Sequence, residues 1–258
     1  MPNHVRNRVV VRGSAKEIDQ FLKEVGDEES KFSFNKIIPM PRTMNIQSGS
    51  TADDCLLYVI TDTFSDLSNP QVADIPLHYI RNLDPCSIQK LLDQEAFKKR
   101  VQSCMQRIDT LSDVKSEGEP EYLFDAASSP RTKQDAIFLG KTMQRNIQEY
   151  STKDWYDWSC KNWGTKWPAY EISVSRADDC TIEMDFQTAW SMPEPIIVEI
   201  ISKFPNLYFE GVFADEDIGS NCGKWVGKSG TYILVDQLQE EAVCFACKVW
   251  DLDPEDFK

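Results

Sequence analysis

Apolar and polar positions alternate from the first residues of the chain: Val5, Val9 and Val11 interleave with Arg6, Arg8 and Arg12, the period of a half-buried strand. Gly13 ends the run, and Ser14 with Glu17 has the spacing of a helix capping box. Ile18, Phe21, Leu22 and Val25 then recur at helical spacing up to Gly26. The segment KFSFNKIIPMP reads as extended, stopped by Pro39 and Pro41. Residues 42–70 are polar and weakly periodic apart from CLLYVI at 55–60, which predicts a loop with at most one short helix. Asp84-Pro85 has the pattern of an N-cap and first helical position, and Ile88, Leu91, Leu92, Val101, Met105 and Ile108 supply the apolar stripe of that helix. Residues 112–130 are linker-like, and Pro130 is placed to start a helix through Met143, Ile147 and Tyr150.

Beyond residue 165 the period changes from helical to alternating. Tyr170, Ile172 and Val174, then Ile182, Met184 and Phe186, predict a hairpin turned at 177–179. PEPIIVEIISKF (193–204) reads as a helix and LYFEGVF (207–213) as a strand. A second strand pair near 219–226 and 231–235 turns at Gly227–Gly230, and the tail from Asp236 reads as an acidic helix carrying Val243, Phe245 and Val249 or Trp250. With the middle set aside, the order is strand, helix, hairpin, helix, strand, the α+β ferredoxin-like βαββαβ arrangement. The expected organisation is a ferredoxin-like domain from 1–41 and 150–258, with a C-terminal hairpin and helix. Residues 42–149 form a large, mostly helical insertion between the first helix and the second strand. That topology seats the first strand between the hairpin's second strand and the last one, so Arg6 and Arg8 share a sheet face with Glu183 and Asp185 and neutralise them.

Five stretches together resemble the YubB-type, or Api-like, ferredoxin-like domain family of bacterial plasmids and phages: PNHVRNRVVVRG (2–13), FNKIIPMP (34–41), NWGTKW (162–167), FQTAWSMPEPI (186–196) and ADEDIGSNCG (214–223). The resemblance implies an intracellular protein of a mobile element, with no iron–sulfur cluster. It brings no catalytic residues to carry over.

Charge narrows the partner. The chain of 258 residues has 28 Lys+Arg against 42 Asp+Glu, a net charge of −14. Residues 166–258 hold 7 basic and 18 acidic side chains, so most of the excess lies there. An acidic chain repels phosphate backbones, which argues against generic nucleic-acid or anionic-membrane binding. With no signal-peptide pattern and no apolar run of membrane-spanning length, the eight cysteines read as reduced thiols in a cytoplasm. Two histidines, His4 and His78, leave little material for His-based catalysis or metal binding.

The remaining motifs carry little chemistry. Gly227-Lys228-Ser229 lacks the glycine spacing of a phosphate loop and precedes a strand. Cys244 and Cys247 have no second pair for zinc, and Cys160 has no base beside it. Asp215-Glu216-Asp217 with Asn221 misses the glycine position and terminal Glu of a calcium loop. The expectation is therefore no metal, no cofactor and no catalytic set. Trp155, Trp158, Trp163, Trp167 and Trp190 form either an aromatic pocket or a docking seam for the insertion.

The leading expectation is a non-enzymatic protein that binds a host protein. It would act as a counter-defence inhibitor, presenting Glu183, Asp185, Asp215, Glu216 and Asp217 as a nucleic-acid-like acidic surface. The alternatives are an enzyme with a site between sheet and insertion, drawing on Trp163, Lys166, Trp190 and Asp217, and a nucleic-acid binder using the basic face of Arg6, Arg8 and Arg12.

Overall fold

The computed structural model describes residues 3–63, 95–114, 118–237 and 241–257. The expected helix start at Asp84-Pro85, with Ile88, Leu91 and Leu92, and His78 lie outside the described residues. The chain divides into two compact units, one of residues 1–39 and 159–258 and the other of residues 40–158.

The first unit is built on six strands: β1 (His4–Arg12), β2 (Tyr170–Asp178), β3 (Thr181–Ala189), β4 (Tyr208–Asp215), β5 (Cys222–Lys228) and β6 (Thr231–Gln237). Their order is β2-β3-β1-β4-β5-β6, and every neighbouring pair is antiparallel. The first four positions are those of the ferredoxin-like fold, and the C-terminal hairpin widens the same sheet. Helix α1 (Ala15–Val25) carries both halves of the Ser14/Glu17 capping box. Odd positions of β1 are buried and even ones half-buried, so one face of the sheet is packed and the other semi-open. Ile18, Phe21 and Val25 of α1 lie in the packed core with Val9, Val11, Met184, Phe186 and Phe209. So do Ile197, Ile200 and Ile201 of the helix Glu194–Lys203. Each such side chain contributes about 1.5–3 kcal/mol by leaving water.

The second segment of the unit departs from expectation. Phe34–Ile37 is one helical turn (α2) rather than a strand, because Phe34 turns inward to meet Phe32 and Trp163 edge-on, at 5.5 and 5.8 Å between centroids.

The second unit is helical: α3 (Ser50–Thr63), α4 (Glu95–Asp109), α5 (Lys133–Tyr150) and the first half of α6 (Trp155–Asn162), which crosses the boundary between units. Within the segment expected as a loop over 42–70, with one short helix at most, Ser50–Thr63 is a 14-residue helix. Every residue from Asp54 to Ile60 is buried, so these two turns are enclosed all round and have no polar stripe from which a period could be read. Helix α5 starts at Lys133, not Pro130, because Thr132 accepts from the Asp135 N–H and Asp135 reaches back to Thr132. Gly140 of α5 lies so close to α3 that a Cβ there would stand 2.3 Å from the Cys55 carbonyl oxygen.

In chain order α7 is Glu194–Lys203 and α8 is Ala242–Trp250. Helix α8 covers part of the semi-open sheet face, where Ala246 and Val249 join Ala214 and Cys222 in a small apolar cluster.

Candidate binding surface

The five motif stretches converge at one end of the sheet. Strand β3 ends at Ala189, β1 begins at His4, β4 ends at Asp215 and β5 begins at Cys222, so the loops after β3 and β4 meet the start of β1. The Asp215 side chain is buried and accepts from the Asn3 amide at 3.2 Å, the Asp217 N–H at 2.9 Å and the Asn221 amide at 3.3 Å. Asn221 also donates to the Trp190 carbonyl at 3.1 Å, and the Trp190 N–H donates to Asn3 O at 2.9 Å. Trp190 is thereby held at φ 76°, a left-handed conformation that costs a non-glycine residue about 1–3 kcal/mol. Asn221 is left-handed as well, at φ 39°. Backbone strain of this kind persists only where the surroundings over-determine it, as the hydrogen bonds to both sides of Trp190 do.

The segment at 162–167 completes the surface. Thr165 Oγ1 donates to Ala189 O at 2.7 Å and accepts from the Ala189 N–H at 3.1 Å, while Ser191 donates to Gly164 O. Trp163 is buried and donates from Nε1 to Ile38 O at 2.9 Å, which joins the 34–41 stretch to the assembly. Lys166 is then placed between two indoles, its Nζ 4.9 Å from the Trp167 ring centre and 4.8 Å from that of Trp190. Trp190 is 39% exposed, whereas Trp163 is 2% exposed. A rigid, strained and solvent-facing indole beside a cation is suited to anchoring a partner surface.

Polar groups nearby have structural partners. His4 Nδ1 lies 2.5 Å from the Tyr170 hydroxyl, which also donates to Thr188 O at 3.3 Å, and burial pushes the Tyr170 phenol up to about 12. The His4 N–H donates to Glu216 Oε1 at 2.9 Å, and Glu216 and Asp217 are among the exposed acids of this end.

The structure redistributes the residues singled out from sequence. The five acids do not form one patch. Asp215 pairs in register with Val5 and Glu183 with Val10, five residues along β1 and roughly 17 Å apart at a strand's rise. Asp215 is also buried, because its carboxylate caps the loop that follows it. Asp185 is taken up by arginines: Arg6 contacts it through Nε at 3.0 Å and NH2 at 2.7 Å, and Arg8 through Nε at 3.2 Å. Both arginines also reach Asp251, just past the C-terminus of α8, and Arg8 NH1 donates to Lys248 O at 3.3 Å. Arg12 pairs with Glu210 at 3.1 Å. The basic face is therefore largely neutralised and partly covered. Hydrogen bonding to Asp185 holds the Arg6 guanidinium above its ordinary value, and that from Arg8 holds the Asp251 carboxyl below its own.

The five tryptophans are divided between the two units. Trp155 and Trp158 belong to the helical unit, where Trp155 meets Tyr156 edge-on at 5.8 Å. Trp163, Trp167 and Trp190 belong to the sheet unit, together with Lys166 and Asp217 of the enzymatic alternative. Asn3 and Asp251 escaped sequence reasoning, since isolated polar residues in loops carry no period, and Asn221 figures only beside the acidic run 215–217. Asn3 and Asn221 also stand inside the motif stretches. Lys228 to Thr231 make a plain hairpin turn, with Ser229 at φ 53° and Gly230 at φ 74°. Among the described residues no group of three His, Cys, Asp or Glu side chains could hold a metal ion. None of their helices is long and apolar enough to cross a membrane.

The chain is similar to known proteins in three respects. Residues 169–253 match the family model for the ferredoxin-like domain in Api92-like protein. A 71-residue stretch is 31% identical to the uncharacterised protein YubB of Escherichia coli (strain K12), covering 27% of this chain and 48% of that protein, about half of its length. The crystal structure of protein api92 from Yersinia pseudotuberculosis aligns with 92% of this chain and 99% of its own, at 12% identity and a TM-score of 0.44.

Proposed function

We propose that this chain, which through residues 169–253 carries the ferredoxin-like domain of the YubB/Api-like family, acts by binding another protein at the sheet end that presents Trp190. The observation that carries this reading is the exposed Trp190, held left-handed by Asn3 and Asn221 and flanked by Lys166. An indole fixed in advance loses little conformational entropy on docking, and such residues dominate interface energies. Hydrogen bonds from three donors to Asp215, and the Tyr170 phenol raised to about 12, support binding over acid–base chemistry here.

The narrower version is a cytoplasmic protein of a phage or plasmid that blocks a host nucleic-acid-binding factor. The net charge of −14 and the exposed Glu216 and Asp217 beside Trp190 favour a partner whose apolar pocket is rimmed by cations. A photo-crosslinking residue at position 220, exposed next to the Asn221 that holds Trp190, is expected to trap one defined protein in host cells. The same group at Val198, exposed on α7, is expected to trap none. Trp190→Ala should abolish capture while leaving the melting temperature unchanged. Equal crosslinking from both positions, or capture that survives Trp190→Ala, refutes the reading. Capture that is indifferent to salt and to charge reversal at Glu216 and Asp217 refutes the mimicry version alone.

A further inference from the structure

A cleft of about 580 Å³ runs between the C-terminal turn of α1 and the outer strand β2, towards the opposite end of β3 from Trp190. Leu22, Val174 and Ile182 give it an apolar floor. Val174 stands opposite the buried Met184 and faces the same side, yet is only half-buried, so the sheet face is less covered at β2 than at β3. Ser175 pairs with Glu183 on the other face, so it enters the lining through its main chain. One wall of the cleft is thus the backbone edge of a terminal strand. Half of the N–H and C=O groups of such a strand point away from the sheet.

Three cations ring this edge. Arg176 bridges to Asp19 of α1 and closes one end, while Lys23 and Lys31 have no ion-pair partner among the described residues. Of the two acids on the rim, Asp27 is turned back into its own loop, accepting from the Glu29 and Ser30 N–H groups at 3.0 and 2.8 Å, which leaves Glu28. The C-terminus of α1 also faces this side, and its partial negative charge opposes a compact anion while favouring N–H donors.

We propose that the cleft takes an extended peptide as a seventh strand beside β2, with an apolar and an acidic side chain two residues apart on its cleft-facing side. The main chain pairs with Ser173–Arg176, where the register with β3 is regular. The apolar side chain rests on Leu22 and Val174, and the acidic one reaches Lys23 and Lys31. This site is independent of the Trp190 surface.

The test uses the full chain and a fluorescein-labelled eight-residue peptide of repeating Thr-Val-Thr-Glu, read by anisotropy. Binding is expected to weaken about tenfold when Lys replaces Glu in the peptide, and by a similar factor in a Lys23→Glu/Lys31→Glu variant, since both reverse the same complementarity. Pro in place of alternate Thr should abolish it, and bound peptide should slow amide exchange at 173–176. Trp190→Ala should leave the affinity unchanged, so failure here is separable from failure of the Trp190 reading. Glu and Lys peptides binding alike, an unaffected Pro peptide, or unchanged exchange at 173–176 would overturn the proposal. So would dodecanoate entering the cleft where the peptide does not, which would mark a small-amphiphile site.

Discussion

The sheet unit buries Asp215 with N–H donors alone, whereas the helical unit also sets cations against buried carboxylates. In the sheet unit Asp215 is enclosed by N–H donors from Asn3, Asp217 and Asn221. Its ion pairs, among them Arg6 and Arg8 with Asp185 and Asp251, stay partly exposed. In the helical unit Asp54 is buried against Arg107 at 2.6 Å, and Asp154 is buried with the Lys153 ammonium 3.9 Å away. Lys153 itself sits closer to Asp53, at 2.5 Å. A helix start can turn amides onto a carboxylate as a loop does, since the buried Asp135 accepts from the Arg131 and Thr132 N–H groups and from the Tyr122 hydroxyl; where the amides are already bonded, long cations must reach in instead. Charge on Asp154 is less completely compensated, and burial pushes its carboxyl up to about 6 although it caps α6 through the Tyr156 and Asp157 N–H groups.

Close packing supplies the largest effects by which to probe this contrast. Gly140→Ala drives a Cβ into the Cys55 carbonyl of α3, and Gly211→Ala drives one to 2.1 Å from the Trp225 ring. Each should destabilise by about 3 kcal/mol or more, since neither neighbour can step aside. Hydrogen exchange should show protection lost first over α3 and α5 for Gly140→Ala, and over β4 and β5 for Gly211→Ala. The same pattern of loss in both variants would mean that the units respond as one.

Asp215→Ala ranks next. It leaves three donors without their acceptor and should cost about 2–3 kcal/mol in chemical denaturation. An effect below about 0.5 kcal/mol, the level of an ordinary surface change, would show that water replaces the carboxylate.

Asp154 tests the other means of burial. A folded value of about 6 lies above the ordinary carboxylate value, so the charged form is penalised in the folded state at neutral pH. The folded chain then binds its proton first as pH falls, and the penalty fades between about pH 6 and pH 4. Asp154→Asn keeps a good N-cap and removes the charge, so relative to the native chain it should gain about 2 kcal/mol at pH 7 and nothing near pH 4. A stability difference that does not vary with pH would show that Lys153 compensates the charge after all.

The smallest effect belongs to the semi-open sheet face. Asp251→Ala should cost about 1 kcal/mol at low salt and nothing measurable in strong salt, because the aspartate is exposed and screened. Retarded nucleic acid in a gel shift with Asp185→Ala/Asp251→Ala, but not with the native chain, would show that these two acids mask a basic face.

Legibility in the sequence followed the same division. Alternation located β1, the β2–β3 hairpin and β4, and the Ser14/Glu17 box marked the start of α1, because a half-buried element writes its buried face into the residue period. Helix α3 was illegible for the converse reason: with Asp54 to Ile60 all buried, no contrast remained to show a period. The short helix at Phe34 was hidden by two prolines that end an extended run and a helical turn equally well.

At the candidate surface, the sequence by itself identified the stretches that meet there, and Arg6, Arg8 and Asp185 as facing one another across strands. Tertiary structure decided that Glu183 and Asp215 lie far apart on the sheet, that Asp251 closes the basic face, and that one of five tryptophans faces solvent in a strained backbone. A period reports which side of an element is buried. Which residues of distant elements meet depends on register and on the docking of loops and helices, and no local pattern encodes those.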